Sequence, residues 1–369
     1  MKILVINWQD RKNPLSGGAE THLHEIFSRI AEKGNEVTLL CSSFNNAPKR
    51  ETVDGINVIR IGKRYNFNFY VPYAIQKLVR KNNYDIVIDD INKIPFFTPL
   101  YIKEKPILVI LHHFFGRSIY REAIFPSACY IDISERLVPF VYAKEVFSVV
   151  SESTKKELVK MGIPSEKIFV IHNAVSSNLH PDFSKKSSSP LVLIHGRVKK
   201  YKCPELCLYA MKRIISQVPE ARLVVAGTGD YLPALIELSK KLKLENNVEF
   251  LGFVSEEKKK ELLQSAWVSV NMSLKEGWGI TVIESNACGT PVVASNSPGL
   301  RDSVVDNKTG FLVSPGDVEA SAGRIIRILQ NKALRDTLSQ NALEWANKFN
   351  WGKSAEKMLK LIEKEILEK

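Results

Sequence analysis

The sequence predicts an α/β protein of two tandem domains, and two observations carry that prediction. Short apolar segments alternate with helical patterns along the whole chain, and the alternation restarts after one polar stretch near residue 180. In the first half the strands read KILVIN, EVTLLC, INVIRI, DIVIDD, ILVILH, VFSVVS and KIFVIHNAV, with helices expected over 18–33, 72–82 and 153–161. The segment HPDFSKKSSSP (180–190) is polar and of low complexity, which marks a flexible linker. The second half reads LVLIHG, RLVVAGTG, VEFLGFV, WVSVNMS, PVVAS and GFLV, interleaved with helices over 204–217, 231–243, 256–265 and 280–288. Helices near 317–330, 332–348 and 352–367 close the chain. The expected limits are a first domain over 1–180, a linker over 181–190, a second domain over 191–350, and a last helix over 351–369 packing back toward the first domain. Strands separated by helices form parallel sheets, so each half is Rossmann-like, and a central cleft faced by the two sheets is the default ligand site.

Composition narrows the function classes. With 44% hydrophobic and 25% charged residues in 369, the chain has the make-up of a globular protein long enough for two domains. It holds no run of about 18 apolar residues, and the opening MKILVINWQD turns polar at Gln9, so a cytoplasmic protein is expected. The five cysteines are scattered and odd in number, which suits reduced thiols. Cys203 and Cys207 would share a helix face, but His195 is the only nearby candidate to complete a zinc site, so packing is expected and no metal. The charge of +12 is spread evenly, with 24 basic and 18 acidic residues over 1–180 and 28 and 22 over 181–369. A nucleic-acid binder would concentrate it, so no nucleic acid is expected. An even surplus fits anionic ligands, an anionic membrane surface, or simply a solvated basic exterior.

The stretch Glu276-Gly-Trp-Gly-Ile-Thr-Val-Ile-Glu284 joins a strand to a helix through a glycine-rich loop. Gly277 and Gly279 permit a tight turn close to a ligand, and the free N–H groups at the start of helix 280–288 make a diphosphate-binding end, with Trp278, Ile280 and Thr281 as further candidate donor-binding residues. Glu276 on the loop and Glu284 one turn into the helix can meet one ligand from adjacent points. A diphosphate also needs cations, and Arg197 after LVLIHG and Lys202 before Pro204 stand at the carboxyl edge of a strand. Taken alone, RVKKYK could equally be a solvated loop.

At these residues the chain resembles the retaining glycosyltransferases of family four. Glu276 to Glu284 matches the family's E-x7-E motif and is followed by ACGTPVVAS. GGAE (17–20), VSESTKKEL, IHNAV, GRVKKYK, VAGTGD, EFLGFV and TGFLV follow in the family's order over nearly the whole chain. The resemblance implies the glycosyltransferase B fold, with a nucleoside diphosphate sugar (UDP- or GDP-linked) as donor substrate and no further cofactor. It implies that Arg197 and Lys202 neutralise the diphosphate, Glu276 binds the donor sugar and Glu284 the ribose. Phe253 and Val254 would meet the base, and the loop of Gly17 and Gly18 would approach the donor phosphates. A histidine near the reacting sugar corresponds to His112 or His113, with His112 preferred by strand position. IHNAV has alanine where the family usually has glycine, and SNSPGL has Ser297-Pro298 where a second glycine is common.

The resemblance is poorest over 114–140, where aromatic residues interleave with Arg117, Arg121 and Arg136, and a second aromatic cluster spans 65–73. These segments suit a glycan or lipid-linked acceptor or contact with an anionic membrane, or else an ordinary packed helical pair. Rivals are a paired-carboxylate hydrolase, a nucleotide-sugar epimerase of the same fold, a phosphorylase, and a non-catalytic sugar-nucleotide-binding partner. A nicotinamide dehydrogenase is excluded because Gly17-Gly18 lacks the dinucleotide spacing after the first strand.

Overall fold

A computed structural model describes residues 1–92 and 94–368. The chain divides into two compact units, one of Met1–Ile119, Ile124–Asn173 and Asn350–Lys369, the other of Tyr120–Ala123 and Ala174–Phe349.

In the first unit the chain runs β1 (Lys2–Ile6), α1 (Gly18–Glu32), β2 (Glu36–Ser43), β3 (Arg50–Val53), β4 (Ile56–Lys63), α2 (Phe67–Lys81), β5 (Ile86–Ile91), β6 (Ile107–Leu111), α3 (Phe125–Val141), β7 (Val146–Val149), α4 (Glu152–Lys160) and β8 (Ile168–Val170). The sheet order is β3-β4-β2-β1-β5-β6-β7-β8, parallel except for the β3–β4 pair. Its central strands β1, β6 and β7 are near-continuous buried runs, as expected of parallel strands covered on both faces, whereas the edge strand β3 is polar. The strand order reverses between β1 and β5, which makes the carboxyl ends of these two strands the crevice of this sheet.

The second unit contains β9 (Leu191–His195), α5 (Glu205–Gln217), β10 (Arg222–Ala226), α6 (Leu232–Lys241), β11 (Val248–Gly252), α7 (Glu256–Ser265), β12 (Val268–Asn271), α8 (Ile280–Ala287), β13 (Val292–Ser295), α9 (Leu300–Ser303), β14 (Gly310–Val313), α10 (Val318–Gln330) and α11 (Lys332–Ala346). All six strands are parallel, in the order β11-β10-β9-β12-β13-β14, and the reversal falls between β9 and β12. The last helix, α12 (Trp351–Glu368), belongs to the first unit, where buried Ala355, Met358 and Ile362 pack it along α1.

Four expectations need correction. The helix expected over 72–82 starts at Phe67, because Phe67, Val71 and Ile75 form one buried stripe that outweighs the cost of Pro72 inside the helix. The stretch 181–190 is not a free linker. It belongs to the second unit, where Lys186 Nζ donates to Ala266 O at 2.6 Å and Thr290 Oγ1 at 2.8 Å, and Trp267 Nε1 donates to Ser187 O at 2.9 Å. Cys203 does not share a helix face with Cys207, since it lies before α5 with a left-handed backbone (φ 47°). The segment 114–140 is a short 3-10 stretch followed by one α-helix rather than a helical pair.

Candidate active site

In the second unit the site is built where the strand order reverses. After β9 the chain passes His195, Gly196 and exposed Arg197, and turns through a 3-10 segment to Lys202. After β12 it runs through Ser273 to Glu276 and enters α8 at Gly279. These two excursions meet: Lys202 Nζ lies 2.8 Å from Glu276 Oε1, with only 18% and 14% of the two side chains exposed. Ser273 Oγ lies 2.8 Å from the same oxygen and 2.6 Å from Asn271 Oδ1, while Asn271 Nδ2 donates to Thr281 Oγ1 at 3.1 Å. Burial alone would push the lysine pKa down, but the neighbouring carboxylate raises it, so the ammonium is retained.

The loop between the carboxylates is shaped by glycine. Gly279 caps α8 with φ 79°, and a Cβ there would come within 2.9 Å of Leu300 and Ser303. Gly299, at φ 82°, presses against the same loop, where a Cβ would stand 2.2 Å from Glu276 O. The departure at Ser297-Pro298 therefore has a defined place: Pro298 O accepts from Glu276 N–H at 3.0 Å, and Ser297 Oγ donates to Ser273 O at 2.7 Å. This turn holds the Glu276 loop.

Glu284, inside α8, sits between two bases. Lys259 Nζ lies 2.9 Å from Oε1, and His195 Nε2 is 3.3 Å from Oε2, close but not aligned for a hydrogen bond. Burial pushes the carboxyl pKa up; the nearby His195 ring and the Lys259 ammonium outweigh it and bring the pKa down to about 2. Such a carboxylate accepts hydrogen bonds and does not give protons. Phe253, 83% exposed, follows the end of β11, as does Val254.

In the first unit, Gly17 and His112 are joined by a buried polar chain. Gly17 N–H donates to Glu20 Oε2 at 2.7 Å across the first turn of α1, and Gly18 opens the helix. Asn92 Nδ2 donates to Glu20 Oε1 and to Asn7 Oδ1, both at 2.8 Å. Asn7 Nδ2 donates to Asp90 Oδ2 at 2.8 Å, and Asp90 Oδ1 lies 2.9 Å from His112 Nε2. Asn7 and Asn92 follow β1 and β5, the strands flanking the reversal. With carboxylate as acceptor, Nε2 of His112 carries the proton and Nδ1 is left for other partners. His113 turns elsewhere, its ring edge-on to Phe115 at 4.9 Å. His22, fully buried, packs edge-on against the His112 ring at 5.0 Å, and burial lowers its pKa well below the usual value, so it is neutral.

Sequence reasoning reached Gly17 and His112, and Glu20 as part of the GGAE motif without a role, but not Asn7, Asp90, Asn92, Ser273, Asn271 or Lys259. A signal was present in both cases: Asn7 directly follows the apolar run of β1, and Asp90 is an acidic residue near the carboxyl end of β5.

Two family descriptions match this chain. Residues 16–179 match Glycosyltransferase Family 4, and residues 175–345 match Glycosyl transferases group 1. The chain belongs to the family-four glycosyltransferases. Among relatives, an uncharacterized glycosyltransferase of Methanocaldococcus jannaschii is 25% identical, covering 95% of each chain. The N-acetyl-alpha-D-glucosaminyl L-malate synthase of Bacillus anthracis is 24% identical over 90% of this chain and 89% of its own. A sucrose-phosphate synthase from Thermosynechococcus elongatus, at 21% identity, superposes with a TM-score of 0.84 over the whole of both chains. The sucrose-phosphate synthase structure has the glycosyltransferase B fold, two parallel-sheet α/β domains, and this family-four glycosyltransferase has it too.

Proposed function

We propose that this glycosyltransferase moves a hexose-type sugar from a UDP- or GDP-sugar to a hydroxyl of a glycan or lipid-linked acceptor, with retention and without a metal. One observation carries the proposal: at the strand reversal of the second unit, Lys202 and Glu276 are locked together beside Arg197 and the glycine-capped start of α8. Cations, a helix start and a carboxylate close together support this reading, because a nucleoside diphosphate sugar requires such groups. Glu284, held ionised, is assigned to the ribose hydroxyls, and the main chain at Phe253 and Val254 to the base.

The chemistry follows from those assignments. As the bond to the anomeric carbon breaks, negative charge develops on the departing diphosphate, and Arg197, Lys202 and the α8 N–H groups stabilise it without reorganising. The phosphate oxygen then takes the acceptor's proton on the face it leaves, so configuration is retained and no protein nucleophile is needed. His112, with its proton fixed toward Asp90, and the Gly17–Gly18 loop are the groups assigned to the first unit's share of this work. A relative in fold, an Anabaena protein solved with UDP-glucose (TM-score 0.79, 18% identity, 99% and 100% coverage), makes UDP-sugars a rational first donor panel. Thermal shift across UDP- and GDP-sugars, followed by proton NMR of the product's anomeric coupling, tests the proposal. A matching donor raises the melting temperature and yields the donor's anomeric configuration, whereas inversion overturns the mechanism.

A further inference from the structure

Two helices of the first unit, α2 and α3, turn large apolar side chains toward solvent. On α3 the inward positions are Ala128, Ser134, Glu135 and Val138, while Tyr130, Ile133, Leu137 and Phe140 face solvent. Spacings of three, four and three residues put these four on one helical stripe. Ile133 is 57% exposed and Phe140 77%. Glu135 is turned inward with a purpose, since its two oxygens accept the N–H groups of Phe115 and Gly116 at 2.6 and 2.8 Å. On α2 the stripe Phe67, Val71, Ile75 is buried, yet Phe69 and Tyr73 are 74% and 72% exposed. Asn68 Nδ2 donates to the Tyr130 hydroxyl at 3.0 Å, so the two helices meet at these residues.

The charges on these helices choose the partner. α2 contains no acidic residue, and Lys77, Arg80 and Lys81 are exposed along it, with Lys63 and Arg64 just before it. α3 has two acids, but Glu135 is buried and Asp132 is mostly covered and paired with Arg136 at 2.9 Å, leaving Arg136 with 71% of its side chain exposed. Every charge strongly exposed on the two helices is therefore positive. A second copy of the chain would bring like charges into one apolar interface, whereas a bilayer with anionic headgroups accepts aromatic and aliphatic side chains at its boundary and neutralises a basic rim. No described helix is long and apolar enough to cross a membrane, so a surface-lying mode is the one these helices can use.

We propose that α2 and α3 form a docking face that seats this glycosyltransferase on an anionic lipid surface. Phe69, Tyr73, Ile133 and Phe140 enter the headgroup boundary, and Arg64 and Arg136 meet the lipid phosphates. Vesicle binding is read without turnover, so its failure is distinguishable from failure of the proposed transfer reaction. The test is co-sedimentation of the full chain with vesicles of phosphatidylcholine alone or mixed with phosphatidylglycerol, alongside Phe69→Ser/Phe140→Ser and Arg136→Glu. The wild type should pellet with phosphatidylglycerol vesicles and not with phosphatidylcholine alone, and salt should release it. Each variant should bind about tenfold or more weakly with an unchanged melting curve. Failure of the wild type to bind phosphatidylglycerol vesicles, or equal binding by the variants, overturns the proposal. So does concentration-dependent dimerisation without vesicle binding that the serine variant abolishes, since the face would then be a subunit interface. Donor turnover measured on the same samples separates loss of docking from loss of the enzyme.

Discussion

Lys202 Nζ and Glu276 Oε1 are 2.8 Å apart, and neither side chain is well exposed, so the cation and the carboxylate of the proposed donor site support each other before any ligand arrives. Removing one leaves the other buried without that opposite charge. Lys202→Met and Glu276→Gln should each destabilise the protein, and their double-mutant cycle should give a coupling of about 1–3 kcal/mol by urea denaturation. A cycle that closes at zero would mean that the pair is incidental.

Glu284 gives a pH prediction. Its pKa is depressed from 4.5 to about 2, so it contributes stability that is fully present above 4.5 and lost as pH falls through 2. A shift of that size corresponds to about 3 kcal/mol. Lys259→Met removes an ammonium that opposes the effect of burial, so the variant should be less stable than the wild type at pH 7. The gap should narrow below pH 4.5 and close only as the pH falls through 2 in urea titrations. A gap that stays constant with pH would show that the lysine acts through packing instead.

Asp89 runs the other way. This buried carboxyl accepts from the Tyr142 hydroxyl at 2.6 Å and the Thr98 hydroxyl at 2.7 Å, but burial dominates and lifts its pKa from 3.8 to about 6. A raised carboxyl pKa means that stability from this group is fully present below 3.8 and declines as pH rises through 6, by about 3 kcal/mol in total. Asp89→Asn should flatten that component. If the wild type and the variant show parallel stability curves between pH 4 and 7, Asp89 does not titrate as described.

The buried chain from Gly17 to His112 makes a separate prediction. Asp90→Asn replaces the charged acceptor of His112 Nε2 with an amide and frees the ring's tautomer, so turnover should fall about tenfold to a hundredfold with little change in donor affinity. Kinetics with the donor varied, together with a melting curve, check it; a raised KM at unchanged kcat would place the effect in binding.

The alternating strands and helices were legible because apolar periods of two kinds follow each other cleanly, and the ordered motifs of the second half located Arg197, Lys202, Glu276 and Glu284. What escaped has physical reasons. The β3–β4 hairpin was announced by Asp54-Gly55, both with positive φ as a tight hairpin turn demands, but the short polar strand Arg50–Val53 has no apolar alternation to flag it. The start of α2 was hidden because Pro72 looks like a first-turn residue when it is an interior one. Lys259 and Asn92 act on residues distant in sequence, through pairings that only the sheet order brings about. The polar stretch over 181–190 has the composition of a linker, yet Lys186 finds backbone and hydroxyl acceptors that composition does not show.

Arg197 is the exposed cation of the proposed donor site, so its removal tests the chemistry without disturbing the fold. The decisive measurement is nucleoside diphosphate release by the wild type and Arg197→Ala, with the matching donor, in the presence and absence of acceptor. Release that depends on acceptor and falls about tenfold to a hundredfold in the variant, with an unchanged melting curve, is the predicted result. Wild-type rates in Arg197→Ala, or free sugar released without acceptor as fast as transfer, would contradict it.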